Sequence, residues 1–117
     1  MKFIAYLAPF LPLLVSLASA ESCSYWSDFD KKTHRGYCTT PNACIDAHGF
    51  VVDDRCSGGS NNKCCLTYYC DGAGSLTGYC TNTNTRGRNE CSRMRGTFRS
   101  NRCPGPTNVK CCEGLFG

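Results

Sequence analysis

The longest apolar stretch of the chain comes first. A mostly apolar segment from Phe3 to Leu17 follows the cation Lys2 and precedes the small residues Ala18-Ser19-Ala20. That order reads as a secretory signal peptide over residues 1-20, with the mature chain starting at Glu21. The stretch falls short of the ~20 residues a membrane-spanning helix needs, and prolines 9 and 12 interrupt it, so a retained anchor is the weaker reading. Beyond it apolar residues come in short bursts. Phe50-Val51-Val52, closed by Asp53-Asp54, predicts a strand, and Gly96-Thr97-Phe98-Arg99 predicts a counterpart. The turn-rich segments Ser57 to Asn62 and Pro104 to Asn108 predict hairpin closures. Helical patterning supports at most one turn around Asn42 to Ala47 and another around Asn89 to Met94. Large apolar side chains are otherwise sparse, which excludes a sizeable core.

Cysteine replaces the missing core. All 12 cysteines follow Ala20, and such density in an oxidising compartment is the mark of a disulfide framework. The even count lets every thiol pair. Cys64-Cys65 and Cys111-Cys112 would suit zinc, but the paired C-x-x-C spacing of zinc sites is absent, so no metal and no cofactor is expected. Each bridge contributes ~2–4 kcal/mol, chiefly by limiting the unfolded ensemble. The expected product is secreted and extracellular.

The cysteines are spaced as a repeat. Gaps of 14, 5, 11, 7 and 0 residues run from Cys23 to Cys65, and gaps of 9, 10, 11, 7 and 0 from Cys70 to Cys112. Both halves place Gly-Tyr before the second cysteine, as Gly36-Tyr37-Cys38 and Gly78-Tyr79-Cys80. Asp54-Arg55-Cys56 answers Asn101-Arg102-Cys103, and Lys63-Cys64-Cys65 answers Lys110-Cys111-Cys112. An internal duplication follows, with one cysteine-rich module over 21-65 and a second over 66-117. Only Leu66 to Tyr69 separates them, so the modules are expected to dock or to be closely tethered.

Six cysteines with a terminal pair, a gap of seven before it and Gly-x-Cys at the second cysteine resemble the β-defensin pattern, present here twice. The second copy is also similar to small cysteine-rich modules attached to secreted fungal lysozymes and other peptidoglycan hydrolases. The resemblance implies a small, disulfide-rich, mainly β fold: two tandem defensin-like modules with short antiparallel strands and little helix. Spacing alone does not choose among the pairings that six cysteines allow. The defensin-like pattern implies Cys23 with Cys64, Cys38 with Cys56, Cys44 with Cys65, Cys70 with Cys111, Cys80 with Cys103 and Cys91 with Cys112. Two departures stand out. The first loop is long in both copies, and the family glycine two residues before the fourth cysteine is replaced by Asp54 and Asn101, the residue types that best tolerate a left-handed backbone.

Charge divides the halves unequally. Residues 21–65 carry Lys31, Lys32, Arg35, Arg55 and Lys63 against six acids, a net of −1; residues 66–117 carry seven cations against Asp71, Glu90 and Glu113, a net of +4. The arginines 86, 88, 93, 95, 99 and 102 form the candidate binding set, since the planar guanidinium fork suits phosphate and carboxylate. Solubility alone is the competing explanation for them. Trp26 and Tyr79 join them as candidate binding aromatics, able to stack on sugars or sit at a membrane interface. Catalysis is not expected. His34 and His48 lie in no nucleophile motif, and adjacent Asp53-Asp54 on a strand would face opposite ways. The expected function is that of a defensin-like antimicrobial or effector protein. Its partners would be peptidoglycan, another anionic envelope glycopolymer or an anionic lipid surface, without specific nucleic-acid binding. The alternative is a protein-directed ligand, a channel or receptor blocker or an inhibitor of a host enzyme, acting through the loop from Ser24 to Tyr37.

Overall fold

Alternation along short polar segments makes more strand than the apolar bursts alone suggest. The computed structural model describes residues 21–70 and 78–114, and the signal-peptide reading of residues 1–20 lies outside them. Two antiparallel sheets are formed. The first contains β1 (Ser22–Ser27), β2 (Lys32–Thr39), β3 (Phe50–Val52) and β4 (Lys63–Leu66) in the order β1-β2-β4-β3. The second contains β5 (Gly78–Asn82), β6 (Gly96–Arg99) and β7 (Val109–Gly114) in the order β5-β7-β6. Helix α1 (Pro41–Asp46) connects β2 to β3, and α2 (Thr85–Arg93) connects β5 to β6. The fold is therefore small, mainly β and disulfide-rich.

Ser24 to Tyr37, expected as a loop, is instead the β1–β2 hairpin, paired from Ser22↔Tyr37 to Ser27↔Lys32. Its outward positions carry Ser22, Ser24, Thr33 and Arg35 and its inward ones Cys23, Tyr25, His34 and Gly36, so only a period of two betrays the strands. The tip is tied by the Ser27 hydroxyl oxygen, which accepts from the Phe29 N–H at 3.1 Å.

Helix α1 lies where a turn was expected, shifted by one residue, whereas α2 outruns the single turn expected of it. Thr40 caps α1, its side-chain oxygen accepting from the Ala43 N–H, and Pro41 occupies the first turn. Asn84 caps α2 by accepting from the Gly87 N–H at 2.9 Å, so that helix starts four residues before Asn89. Only Gly87 and Cys91 of α2 are buried. A glycine and a cysteine four apart give almost no apolar stripe to read. Gly87 is required there, because a Cβ would lie 1.7 Å from the Asn82 carbonyl oxygen.

Six disulfides lock these elements: Cys23–Cys64, Cys38–Cys56, Cys44–Cys65, Cys70–Cys111, Cys80–Cys103 and Cys91–Cys112. They are the pairs that the resemblance implies, and none joins residues 23–65 to residues 70–112. The backbone repeats with them. His48, Asp54 and Gly58 are left-handed at φ 63°, 61° and 91°, and their counterparts Arg95, Asn101 and Gly105 at 62°, 62° and 104°. Asp54 and Asn101 thus adopt the conformation for which they were expected to substitute for glycine. Register repeats too: Tyr37↔Cys65↔Val51 in one sheet matches Tyr79↔Cys112↔Phe98 in the other.

The halves are docked and share a core. Phe50, Val52 and Cys64 from the first and Leu66 from the connecting segment pack with Cys80 and Val109 from the second. Along the seam, the edge strand β3 is met by a side chain acting as a strand. The Val51 N–H donates to Asn82 Oδ1 at 2.9 Å, and Asn82 Nδ2 donates to the Val51 carbonyl at 3.4 Å. Thr81 Oγ1 donates to the Gly49 carbonyl at 2.8 Å. Arg86 holds Asp46 through two guanidinium nitrogens, linking α2 to α1, and His48 stacks on Tyr79 with centroids 4.5 Å apart.

Candidate binding surface

The six arginines proposed from sequence do not form one face. Cys91 and Met94 of α2 and its flank pack against Tyr79, Cys112 and Phe98, so α2 covers that side of the second sheet. Arg86, Arg88 and Arg93 ride on this helix. Arg99 neighbours Phe98 and Glu113 neighbours Cys112, so strand alternation sends both to the opposite side. There Arg99 Nε lies 3.2 Å and Arg102 Nη1 2.9 Å from the Glu113 carboxylate.

Four of the six arginines are ion-paired. Besides the Glu113 pairs, Arg86 binds Asp46 and Arg93 binds Glu90 at 2.7 Å. The Arg86 hydrogen bond holds the Asp46 carboxyl below its ordinary 3.8, while Glu90 pushes the Arg93 guanidinium up. These partners leave the arginines accessible, since exposed ion pairs are worth at most ~1 kcal/mol and exchange readily with a competing anion. Arg88 and Arg95 are exposed and enter no ion pair among the described residues.

The two candidate aromatics part company. Tyr79 is not a surface residue: it is 2% exposed beneath α2, and burial pushes its phenol pKa up. Cys91, Met94 and the stacked ring of His48 cover it, whereas its counterpart Tyr37 stays exposed. Trp26 is 55% exposed on β1, its indole N–H reaching Asp28 Oδ1 at 3.4 Å. Phe29, Tyr37 and Tyr69 are exposed as well. Phe29 and His34 turn toward the second half, meeting Tyr68 edge-on at 6.3 and 5.6 Å.

Sequence reasoning missed one polar constellation. His34 Nε2 lies 2.8 Å from Asp30 Oδ2, both largely shielded at the hairpin tip. Burial raises the Asp30 pKa, but His34, Ser27 and the local backbone outweigh it, and the net shift is downward. Asp30 stands between Ser27 and His34, so the imidazole is not set against the hydroxyl as a nucleophile would need. The pair pins the tip. The sulfurs of Cys23, Cys38 and Cys56 lie within 4.8 Å of one another, as do those of Cys70, Cys80 and Cys103. Each belongs to a bridge, so these clusters are contacts between neighbouring disulfides.

Neither a family model, nor a curated protein, nor a solved structure matches the chain. No helix among the described residues is long and apolar enough to cross a membrane, and the six disulfides are of a kind that persists under oxidising conditions.

Proposed function

We propose that this chain is a secreted, non-catalytic, defensin-like binding protein that engages anionic glycopolymers of microbial envelopes. One observation carries the reading: the accessible arginines lie on both sides of the second sheet, with Arg86, Arg88 and Arg93 on the helix side and Arg99 and Arg102 on the other. Cations on opposite faces cannot all touch one flat bilayer. A flexible polymer can pass around the module and meet both sets. Three carboxylates, Asp46, Glu90 and Glu113, offset four of the guanidiniums, which leaves a positive surplus for an external anion.

Co-sedimentation of the oxidised protein with insoluble peptidoglycan and with anionic vesicles tests the reading. Peptidoglycan should be bound more tightly, with affinity falling steeply as salt shortens the Debye length to ~8 Å. The double variant Arg88→Gln, Arg95→Gln should weaken binding and flatten its salt dependence. Salt-independent binding, or binding to vesicles alone, would overturn the proposal. A second reading, a protein-directed ligand, draws on the exposed Trp26 of the β1–β2 hairpin. Exchange of the hairpin should then abolish activity that the arginine variant retains.

A further inference from the structure

Trp26 is one of six side chains on the outward face of the β1–β2 hairpin. Registration places Trp26 opposite Thr33, Ser24 opposite Arg35 and Ser22 opposite Tyr37. All six residues are exposed, while Cys23, Tyr25 and His34, on the other face, are partly shielded. The face therefore reads along its length as indole with hydroxyl, hydroxyl with guanidinium, hydroxyl with phenol. Trp26 and Tyr37 stand at its ends, four residues apart and so about 13 Å apart along the strands at ~3.3 Å per residue. Arg35 lies between them and enters no ion pair among the described residues.

We propose that this face is a carbohydrate platform for a carboxylate-bearing oligosaccharide, which rests on the glycopolymer reading above and assigns its sugar contact to the first half of the chain. The two rings offer apolar faces for the C–H faces of two separated sugars. Three hydroxyls offer donors and acceptors to ring hydroxyls, and the guanidinium offers a bidentate fork to one carboxylate. A lipid surface fits less well, because the face has no aliphatic side chain and is crossed by serine and threonine. The hairpin suits the task energetically. Its strands are paired along their whole length and its tip is pinned by His34 and Asp30, so little order remains to be lost on binding. The arginines of the second half supply long-range attraction, and the platform reads the sugar.

Trp26 is the only tryptophan of the chain, so the intact oxidised protein reports on its own platform. Soluble peptidoglycan fragments are titrated into it while tryptophan emission and calorimetric heat are followed. The titration is repeated with fragments whose carboxylates are methyl-esterified. A saturable emission shift that tracks the heat is expected. Tyr37→Ala should bind about tenfold more weakly, and Arg35→Gln should lower affinity for the acidic fragments to that for the esterified ones. Heat without any emission change, with both variants binding as the parent does, overturns the platform and leaves the glycopolymer reading standing. An emission shift given by phosphatidylglycerol vesicles but not by fragments assigns the face to lipid and overturns it as well. If the parent binds no fragment by either readout, the glycopolymer reading fails and the platform with it.

Discussion

Replacing Asn82 by alanine should loosen the seam between the halves. Asn82 is 3% exposed and Val51 8%, so the Val51 N–H and carbonyl would lose their partners where water has little access. An unsatisfied buried polar group costs ~1–3 kcal/mol. The 2.9 Å bond to the N–H counts near the middle of that range and the 3.4 Å bond from Nδ2 near its foot, so ~2–3 kcal/mol is expected in all. For a chain of this size that is roughly 10–20 °C in midpoint. Guanidinium unfolding with all bridges intact, followed by near-ultraviolet circular dichroism, measures the loss. Amide exchange at Val51 locates it. Asn82→Asp separates hydrogen bonding from volume: an ionised carboxylate still accepts from the N–H but has nothing to donate to the Val51 carbonyl. That variant should recover stability in acid, where the protonated carboxyl donates again. If Asn82→Ala unfolds within ~0.5 kcal/mol of the parent and Val51 keeps its exchange protection, the carboxamide does not hold the seam.

Gly36→Ala and Gly87→Ala should each abolish oxidative refolding to the native isomer, read by reversed-phase chromatography. A Cβ there would lie 1.9 and 1.7 Å from the backbone carbonyl oxygens of Cys65 and Asn82, whereas Gly59→Ala, with nothing within 4 Å, should refold as the parent does. The Asp46–Arg86 contact should stabilise the fold only while Asp46 is ionised. Its folded pKa lies below the ordinary 3.8, so the contribution is complete above that value and is lost as pH falls through the depressed one. The stability gap between the parent and Arg86→Gln should accordingly shrink below pH 3.8; a gap as wide at pH ~2 would show that it is not ionic. Full reduction and alkylation should erase near-ultraviolet circular dichroism and protease resistance, since the shared core is small; survival of either would mean that the core suffices without its bridges.

What the sequence made legible is what local chemistry decides. Phe50-Val51-Val52 and Gly96 to Arg99 are strands because β-branched and aromatic residues meet turn formers at their ends. Asp54 and Asn101 go left-handed because their side chains tolerate it. The β1–β2 hairpin was illegible because its inward positions are Cys23, Tyr25, Gly36 and His34, with no β-branched residue and only one aromatic to mark a strand. Asn82 was illegible for a different reason. Asparagine in a short polar segment signals a turn, and only Val51, 31 positions earlier, makes it part of a sheet edge. Tyr79 could not be sorted from the exposed aromatics, since what buries it is a helix whose stripe is one glycine and one cysteine. The arginines clustered in sequence were divided between two sides by strand alternation, which no count of charge reveals.

The side-chain cover on β3 also decides what the first half would do by itself. Without the second half, β3 is the outer strand of the first sheet, and the six cysteines from Cys23 to Cys65 all find their partners within the first half. Until the second half folds against it, that edge offers a bare Val51 amide and carbonyl to any extended chain nearby. Two nascent first halves present the same edge to each other. Expression of residues 21–69 alone, which leaves out Cys70 because its partner Cys111 is absent, should therefore give correctly bridged material that self-associates through an edge the full chain covers with Asn82.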